Sequence, residues 1–312
     1  LKTAIYHVVN SHAALRAHYQ RCDLPWCDPA YQVIDAERDV PIEVLDITGQ
    51  SDPDHFVALH FDRWCYRTHD VFSDVLTRFQ ILLDAEQTAW LTLSCHHLVI
   101  DGISGMAMLQ KIVAGYEALL ADRALPDFQD GFLDSILRHH QQVDAEPVIR
   151  FWAEKAHSVA PLSYSLPKSW QQNNEYQIPQ QPVSEALLAK IKTYCRRNKA
   201  HPSLFYRLVA ALVIQEYCRP EADFVLWDIQ AGRLASEESD IGVYYQQSPF
   251  IIPLEVIQGS AKAADFYQQQ RQYRREIKNN GFVSLSELNR LFPAGNISFQ
   301  FNYFNFLTDV EM

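Results

Sequence analysis

Two adjacent histidines followed at fixed offsets by aspartate and glycine, His96-His97-Leu98-Val99-Ile100-Asp101-Gly102, are the residues of this chain best suited to chemistry. An imidazole that titrates near neutral pH can accept or share the proton of an attacking amine, so one such ring is enough for an acyl-transfer step. In the run Ala89 to His97, strand alternation puts Leu91, Leu93, Cys95 and His97 on one face and Thr92, Ser94 and His96 on the other. The strand thus ends by turning one histidine to each side, and His96 is read as structural. A lone histidine at a strand end is more often a satisfied core residue, but inside so specific a motif that reading holds about one chance in seven. Asp101 lies four residues from His97 on a turn that heads away from it, so structural duty outweighs a triad-acid role by about four to one. Gly102 then either takes a positive φ or leaves room for a substrate arm near the backbone.

The elements that must position this motif are legible from periodicity. Thr77 to Asp84 and Ala89 to His97 read as an antiparallel hairpin, followed by a turn at Asp101-Gly102. A helix comes next, capped by Ser104, with the apolar stripe Leu109, Ile112, Val113, Tyr116 and Leu120. Residues 1 to about 19 read as an amphipathic helix, and Val148 to His157 as another. The proline-bearing stretch Pro161 to Pro182 is the candidate linker between two lobes. The second half offers helices at Ser184 to Asn198, Ser203 to Tyr217 and Lys262 to Lys278, with strands at Phe224 to Ile229, Phe250 to Leu254 and Ile297 to Phe306. In that last strand Ile297, Phe299, Phe301 and Tyr303 share a face, leaving Ser298, Gln300 and Asn302 on the other. The fold class is mixed α/β.

Composition narrows the function classes. With 48% hydrophobic and 12% aromatic residues in 312, the chain has ample material for packed cores. A formal net charge of -11 speaks against a general nucleic-acid binder. Apolar runs such as Leu208 to Ile214 fall far short of the ~20 residues of a membrane span, and Leu1 opens directly on an amphipathic pattern without a signal peptide's features. A cytoplasmic protein is expected, and the start at Leu1 suggests a fragment. Cys22, Cys27, Cys65, Cys95, Cys195 and Cys218 form no C-x-x-C pair and are read as reduced thiols. Cys22 and Cys27 with a distant histidine are the best zinc candidates, at odds below about one in ten, so no metal is expected.

The histidine motif resembles the H-H-x-x-x-D-G signature of the acyltransferase superfamily that includes chloramphenicol acetyltransferases and the condensation domains of nonribosomal peptide synthetases. Further stretches resemble the condensation branch in its own order: His12 to Arg16 in an early helix, Phe151-Trp152, Trp227 to Arg233 with Ala231-Gly232-Arg233, Ile241 to Pro253, and Phe299 to Phe306. Gln246-Gln247 departs from the asparagine that the family often carries after its aromatic pair. The resemblance covers nearly the whole chain.

It implies a two-lobed, V-shaped chloramphenicol-acetyltransferase-like fold, residues 1–165 and 166–312, with the active site at the lobe interface and both chain ends incomplete. The implied activity is amide bond formation between a carrier-bound acyl or peptidyl thioester and an amine in nonribosomal peptide synthesis, a route to secondary metabolites. His97 is the implied catalytic residue, as a true base or as a group that positions the amine. Asp101 corresponds to a buried anchor paired with an arginine of the other lobe, for which Arg233 is the match. Asn302 then suits an oxyanion donor, a contact to a pantetheine arm, or a plain strand-edge amide. Ser298, Gln247, Tyr245 and Ser248 suit channel walls, with solvent-facing polar residues as the plainer account. Arg271, Arg274, Arg275 and Lys278 form a basic stripe that fits a carrier domain or its phosphate, although a solvated helix face is favoured about three to one.

No bound cofactor is implied. The 4′-phosphopantetheine arms belong to donor and acceptor peptidyl carrier domains, an adenylation domain is an expected neighbour, and neither nucleic acid nor membrane is a partner. The rival readings are an epimerisation domain, a freestanding acyltransferase using coenzyme A or a soluble amine, and a catalytically silent recruitment platform. Epimerisation members tend to carry tryptophan soon after Asp-Gly-x-Ser, where this chain has Gly105-Met106.

Overall fold

The computed structural model describes residues 1–22, 30–65, 67–85, 88–142, 145–164, 181–280, 283–292, 295 and 298–303. Contacts divide the chain into two compact units, Leu1–His139 with Ala231–Tyr245, and His140–Gln230 with Gln246–Met312. Among the described residues no helix is long and apolar enough to cross a membrane.

The first unit runs α1 (Lys2–Ser11), β1 (Ala17–Arg21), β2 (Ala30–Ile34), β3 (Ile42–Asp46), α2 (Pro53–Cys65), β4 (Thr77–Leu83), β5 (Ala89–Cys95), α3 (Gly102–Leu120) and α4 (Phe132–Gln142), the last belonging to this unit through His139. β3 pairs parallel with β4, and β4 antiparallel with β5 in the register Thr77↔Cys95, which is the expected hairpin. On one face of this sheet Phe79, Ile81, Leu91 and Leu93 pack with Ile5, Val8 and Val9 of α1 and Met108 and Ile112 of α3. On the other face Glu43 accepts hydrogen bonds from Trp64 Nε1 (3.3 Å) and Gln80 Nε2 (2.9 Å), which ties β3 and β4 to α2, while Gln80 Oε1 is buried without a partner among the described residues.

Several local expectations fail here for identifiable reasons. The first helix ends at Ser11 rather than near residue 19, because His12 is extended (φ −126°, ψ 120°) and Ala13–Arg16 form one 3-10 turn. Residues 17–21 then find their backbone partners in β2, with Ala17 opposite Ile34 and Arg21 opposite Ala30. Cys22, directly after β1, is disulfide-bonded, so the reading of six reduced thiols is corrected; the β1–β2 pairing folds the chain back on itself at this point. On α3 the buried side is Ser104, Met108, Ile112, Gly115 and Ala118, whereas Val113, Tyr116 and Leu120 of the expected stripe are exposed.

The second unit runs α5 (Glu146–Ala156), α6 (Glu185–Arg197), α7 (Pro202–Cys218), β6 (Phe224–Gln230), β7 (Gln246–Ile252), α8 (Leu254–Ile257), α9 (Ala263–Asn280), α10 (Leu285–Leu291) and β8 (Gln300–Phe301). β6 is central, antiparallel to β7 and parallel to β8. β7 begins at Gln246, earlier than the apolar run predicts, since the polar residues Gln246 to Ser248 pair with Gln230 to Asp228. β8 is confined to two residues, and Ile297 and Phe304 to Phe306 of the expected strand lie outside the described residues, as does most of the candidate linker. Phe224 and Leu226 pack with Leu204, Ala211 and Ile214 of α7, while Val225 packs with Trp152, Tyr273, Ile277, Leu288 and Phe292.

One charged pair lies inside the α7 layer. Arg207 donates to Asp228 Oδ1 through Nε (3.2 Å) and Nη2 and to Ser203 Oγ through Nη1 (2.9 Å), and its guanidinium lies 4.8 Å from the Phe250 ring and 4.9 Å from the Phe301 ring. The side chains are 4% and 2% exposed. Burial raises the Asp228 carboxyl above its ordinary value despite the pull of Arg207. Desolvation thus outweighs attraction, so the pair matters chiefly through what its loss would strand. Asp228→Ala leaves Arg207 buried without a counter-charge and is expected to cost about 3–5 kcal/mol, with Arg207→Met in the same chain recovering a large part. Urea unfolding of the two variants checks this, and a single-variant loss below about 1 kcal/mol would contradict the strand-and-charge account.

Candidate functional site

The two histidines sit in the connection between β5 and α3. The strand ends at Cys95, so the expected alternation stops one residue before His96, and His97 to Val99 form a turn. His96 still closes the sheet, its N–H donating to Leu76 O at 2.8 Å. Val99 and Ile100 are 1% and 5% exposed and anchor the turn in the core, and Tyr19 Oη donates to Leu98 O at 3.0 Å. With its neighbours held this way, the turn leaves His97 exposed.

The ring of His97 has a defined protonation pattern. Its Nδ1 lies 3.1 Å from Ile100 O, and because a carbonyl only accepts, Nδ1 carries the hydrogen and Nε2 carries the lone pair in the neutral ring. Among the described residues Nε2 has no hydrogen-bond partner. Tyr245 lies beside the ring at a centroid distance of 5.9 Å and an interplanar angle of 75°. His96 has the opposite tautomer, since its Nδ1 accepts from the N–H of Leu98 at 3.1 Å. Its ring meets His69 edge-on at 6.2 Å. Burial, and then the neighbouring His97, push the His96 pKa below the ordinary histidine value.

His69 is a residue the sequence reading missed. Its Nδ1 donates to Val75 O (3.2 Å) and its Nε2 accepts from Ser94 Oγ (3.4 Å), with a pKa lowered by burial and by Arg78. No spacing in the sequence links it to the histidine pair; only the β4–β5 register brings them together. Cys95, next to the pair, is no nucleophile at neutral pH, because burial pushes its thiol up to about 12.

Asp101 is tied to everything except His97. It caps α3, Oδ1 accepting from Ser104 N–H at 2.8 Å, so the cap is Asp101 and not Ser104. Arg233 Nη2 donates to its Oδ1 (3.0 Å) and Oδ2 (3.1 Å), and Tyr244 N–H donates to Oδ2 (3.0 Å). The side chains are 6% and 3% exposed. Ala231–Tyr245 packs within the first unit, so this ion pair closes inside that unit rather than between lobes cut at residue 165. Arg233 also donates to Glu237 O (2.6 Å) and Asp240 O (2.9 Å), and its guanidinium lies 4.0 Å from the Tyr244 ring. Ser104, freed from capping, donates through Oγ to Gly242 O (2.7 Å) and accepts from Gly242 N–H (3.0 Å). Gly102 is simply the first helical residue and does not have a positive φ; that conformation falls on Gly232 (φ 65°). Gly242 is required for a different reason, since a Cβ there would fall 2.2 Å from Phe132 Cδ2.

The remaining candidates lie in the second unit. Gln247 and Ser298 line one cavity of about 240 Å³ together with Trp227, Asn289, Phe292 and Gln300, whereas Asn302 is exposed and outside that lining. The basic stripe is partly engaged in structure, Arg271 donating to Lys199 O at 2.8 Å, and the Lys278 side chain lies outside the described residues. His139 lies 3.6 Å from the buried Glu237 carboxylate. Among the described residues no three His, Cys, Asp or Glu side chains converge in a metal-binding arrangement.

Two outcomes are expected. Asp101→Ala removes both a cap and the counter-charge of Arg233 and should cost about 3–5 kcal/mol, less when combined with Arg233→Met than the two single losses added together. A double-mutant cycle in urea reads the coupling, and strict additivity would refute it. The second concerns pH: His96 and His69 bind protons less readily when folded, so the unfolded chain protonates first as pH falls below about 6.5. The stability they contribute is present above that pH and is lost below it. His96→Gln should flatten the fall of the urea midpoint between pH 7 and 5.5, and an unchanged slope would count against it.

Comparison with known proteins follows the same line. A family model described as "Condensation domain" matches residues 1–308. The chain is 23% identical over 271 residues to surfactin synthase subunit 2 of Bacillus subtilis, covering 83% of this chain and 7% of that protein. It is 20% identical over 307 residues to bacitracin synthase 3 of Bacillus licheniformis, covering 93% of this chain and 5% of that protein. The chain thus spans a small fraction of these relatives. Among solved structures, the first condensation domain of the calcium-dependent antibiotic synthetase, in complex with a substrate analogue, superposes with a TM-score of 0.73 at 15% identity, over 94% of this chain and 69% of that one. The epimerization domain from the third module of tyrocidine synthetase B superposes with a TM-score of 0.70 at 16% identity, over 94% and 69%. These likenesses establish the fold, which is the mixed α/β, chloramphenicol-acetyltransferase-like one expected from the sequence.

Proposed function

The chain belongs to the condensation-domain family, and from that premise we propose that it joins an acyl or peptidyl thioester on one carrier domain to an amine on another, with His97 handling the proton. The observation that carries this reading is an exposed His97 whose Nδ1–H is held by Ile100 O and whose Nε2 has no partner among the described residues. The neutral amine attacks the thioester carbonyl and its excess proton passes to Nε2. Collapse of the tetrahedral intermediate breaks the carbon–sulfur bond, and the departing sulfur takes the proton from Nε2. Amide and thiol are the products. The Nδ1–H bond to Ile100 O persists in both charge states of the ring, so the imidazole need not reorient during transfer.

The reading extends to the setting. The pantetheine arms are supplied by the carrier domains, with an adenylation domain as a further neighbour, as the synthetase relatives suggest. Gln247 and Ser298 are assigned to the channel wall because they share one cavity with Trp227.

His97→Ala is expected to lower amide formation from carrier-bound donor and acceptor by about a hundredfold or more, the usual scale for a positioned acid or base, with an unchanged melting temperature. His96→Ala should lower stability more than rate. Wild-type condensation by folded His97→Ala would overturn the assignment. Inversion of the donor α-carbon without a new amide would replace condensation by epimerisation.

A further inference from the structure

We propose that Tyr245 is a positioning residue for His97, its aromatic ring fixing the plane of the imidazole; this rests on the role proposed for His97. The ring of His97 is exposed, and among the described residues its one hydrogen bond is Nδ1 to Ile100 O at 3.1 Å. That bond sets the tautomer. A single contact at one ring nitrogen still permits rotation about the bond direction and escape to other side-chain rotamers.

The second contact is the ring of Tyr245, at 5.9 Å and 75°, the edge-to-face arrangement in which aromatic rings attract. Tyr245 can act as a wall because its own backbone is immobilised one residue away. Tyr244 N–H is bound to Asp101 Oδ2 at 3.0 Å, and Gly242 is bound through both backbone groups to Ser104 Oγ. The hydroxyl is not what acts: Tyr245 is 39% exposed, and among the described residues its Oη makes no hydrogen bond. The ring itself is the working part. Nε2 then points one way for each turnover, which is what a group poised for proton transfer requires.

The test compares Tyr245→Phe, Tyr245→Leu and Tyr245→Ala in the full chain. With the carrier-bound substrate pair, Tyr245→Leu and Tyr245→Ala should lose about three- to tenfold in kcat, as the competent rotamer becomes one of several, with KM little changed. Tyr245→Phe should restore kcat to within about twofold of wild type. In parallel, the χ1 rotamer population of His97, read from three-bond couplings to Cγ in histidine-labelled protein with the residue assigned by its loss in His97→Ala, should spread over several rotamers in the leucine and alanine variants and stay in one in the phenylalanine variant. The couplings need no turnover, so they decide the positioning claim even if His97→Ala proves catalytically neutral and the condensation reading fails. Unchanged couplings in both Tyr245→Leu and Tyr245→Ala overturn the proposal. So does a Tyr245→Phe variant as slow as alanine, since the hydroxyl would then be the acting group. If the alanine variant does not fold, the leucine variant decides.

Discussion

The buried ion pair between Asp101 and Arg233 is the constraint on which the rest of the first unit's site depends. Neither partner can be exposed, removed or left alone cheaply, because each is almost fully withdrawn from water. Most of the remaining hydrogen-bonding positions on the pair are used by the two segments it joins, with the Arg233 Nε left unpartnered among the described residues. The carboxylate receives Ser104 N–H and Tyr244 N–H, and the guanidinium reaches the carbonyls of Glu237 and Asp240. A pair built this way adds little net stability against an apolar substitute. What it specifies is geometry, since moving residues 231–245 would break several buried hydrogen bonds at once.

That geometry reaches the His97 turn through two short paths. Along the chain, Asp101 begins α3, so its fixation also fixes the end of the turn that carries His96 and His97. Across space, Tyr244 is hydrogen-bonded to the same carboxylate, which sets where Tyr245 meets the His97 ring. The aspartate of the motif is therefore close to the histidine in sequence and decisive for it in structure without touching it. Its part is to tie together the two segments that carry His97 and Tyr245.

Much of this was legible in the residues. The hairpin, α6, α7 and β6 follow from hydrophobic periodicity because each buries a regular stripe. The Asp101–Arg233 partnership was suggested by family resemblance alone. What periodicity could not supply was the point at which tertiary pairing overrides it. The helical spacing of Leu1 to Leu15 runs on unbroken past Ser11, yet residues 17–21 gain a full set of ladder bonds from β2 that a longer helix would forfeit. Ser104 and Asp101 are equals as caps by residue type, and tertiary contact decides between them: the Ser104 hydroxyl binds the two backbone groups of Gly242, and Asp101 serves the helix end. His69 left no trace in the pattern, because its link to His96 exists only through strand register.

The identity of the Nδ1 partner bears on which reaction such a histidine suits. In hydrolytic triads a carboxylate holds Nδ1–H and stabilises the imidazolium, which helps a base that must pull a proton from a poorly acidic hydroxyl. Here the partner is the carbonyl of Ile100, and the nearby carboxylate of Asp101 is committed to Arg233. A neutral partner fixes the tautomer without adding a charge to the ring, which suits the thioester aminolysis proposed for His97. The amine becomes strongly acidic once it has bonded to the carbonyl carbon, so the base need not be strong to take its proton. In that reading one nitrogen, Nε2, both receives the proton of the amine and returns it to the departing sulfur, and the carbonyl at Nδ1 holds the ring the same way through both transfers.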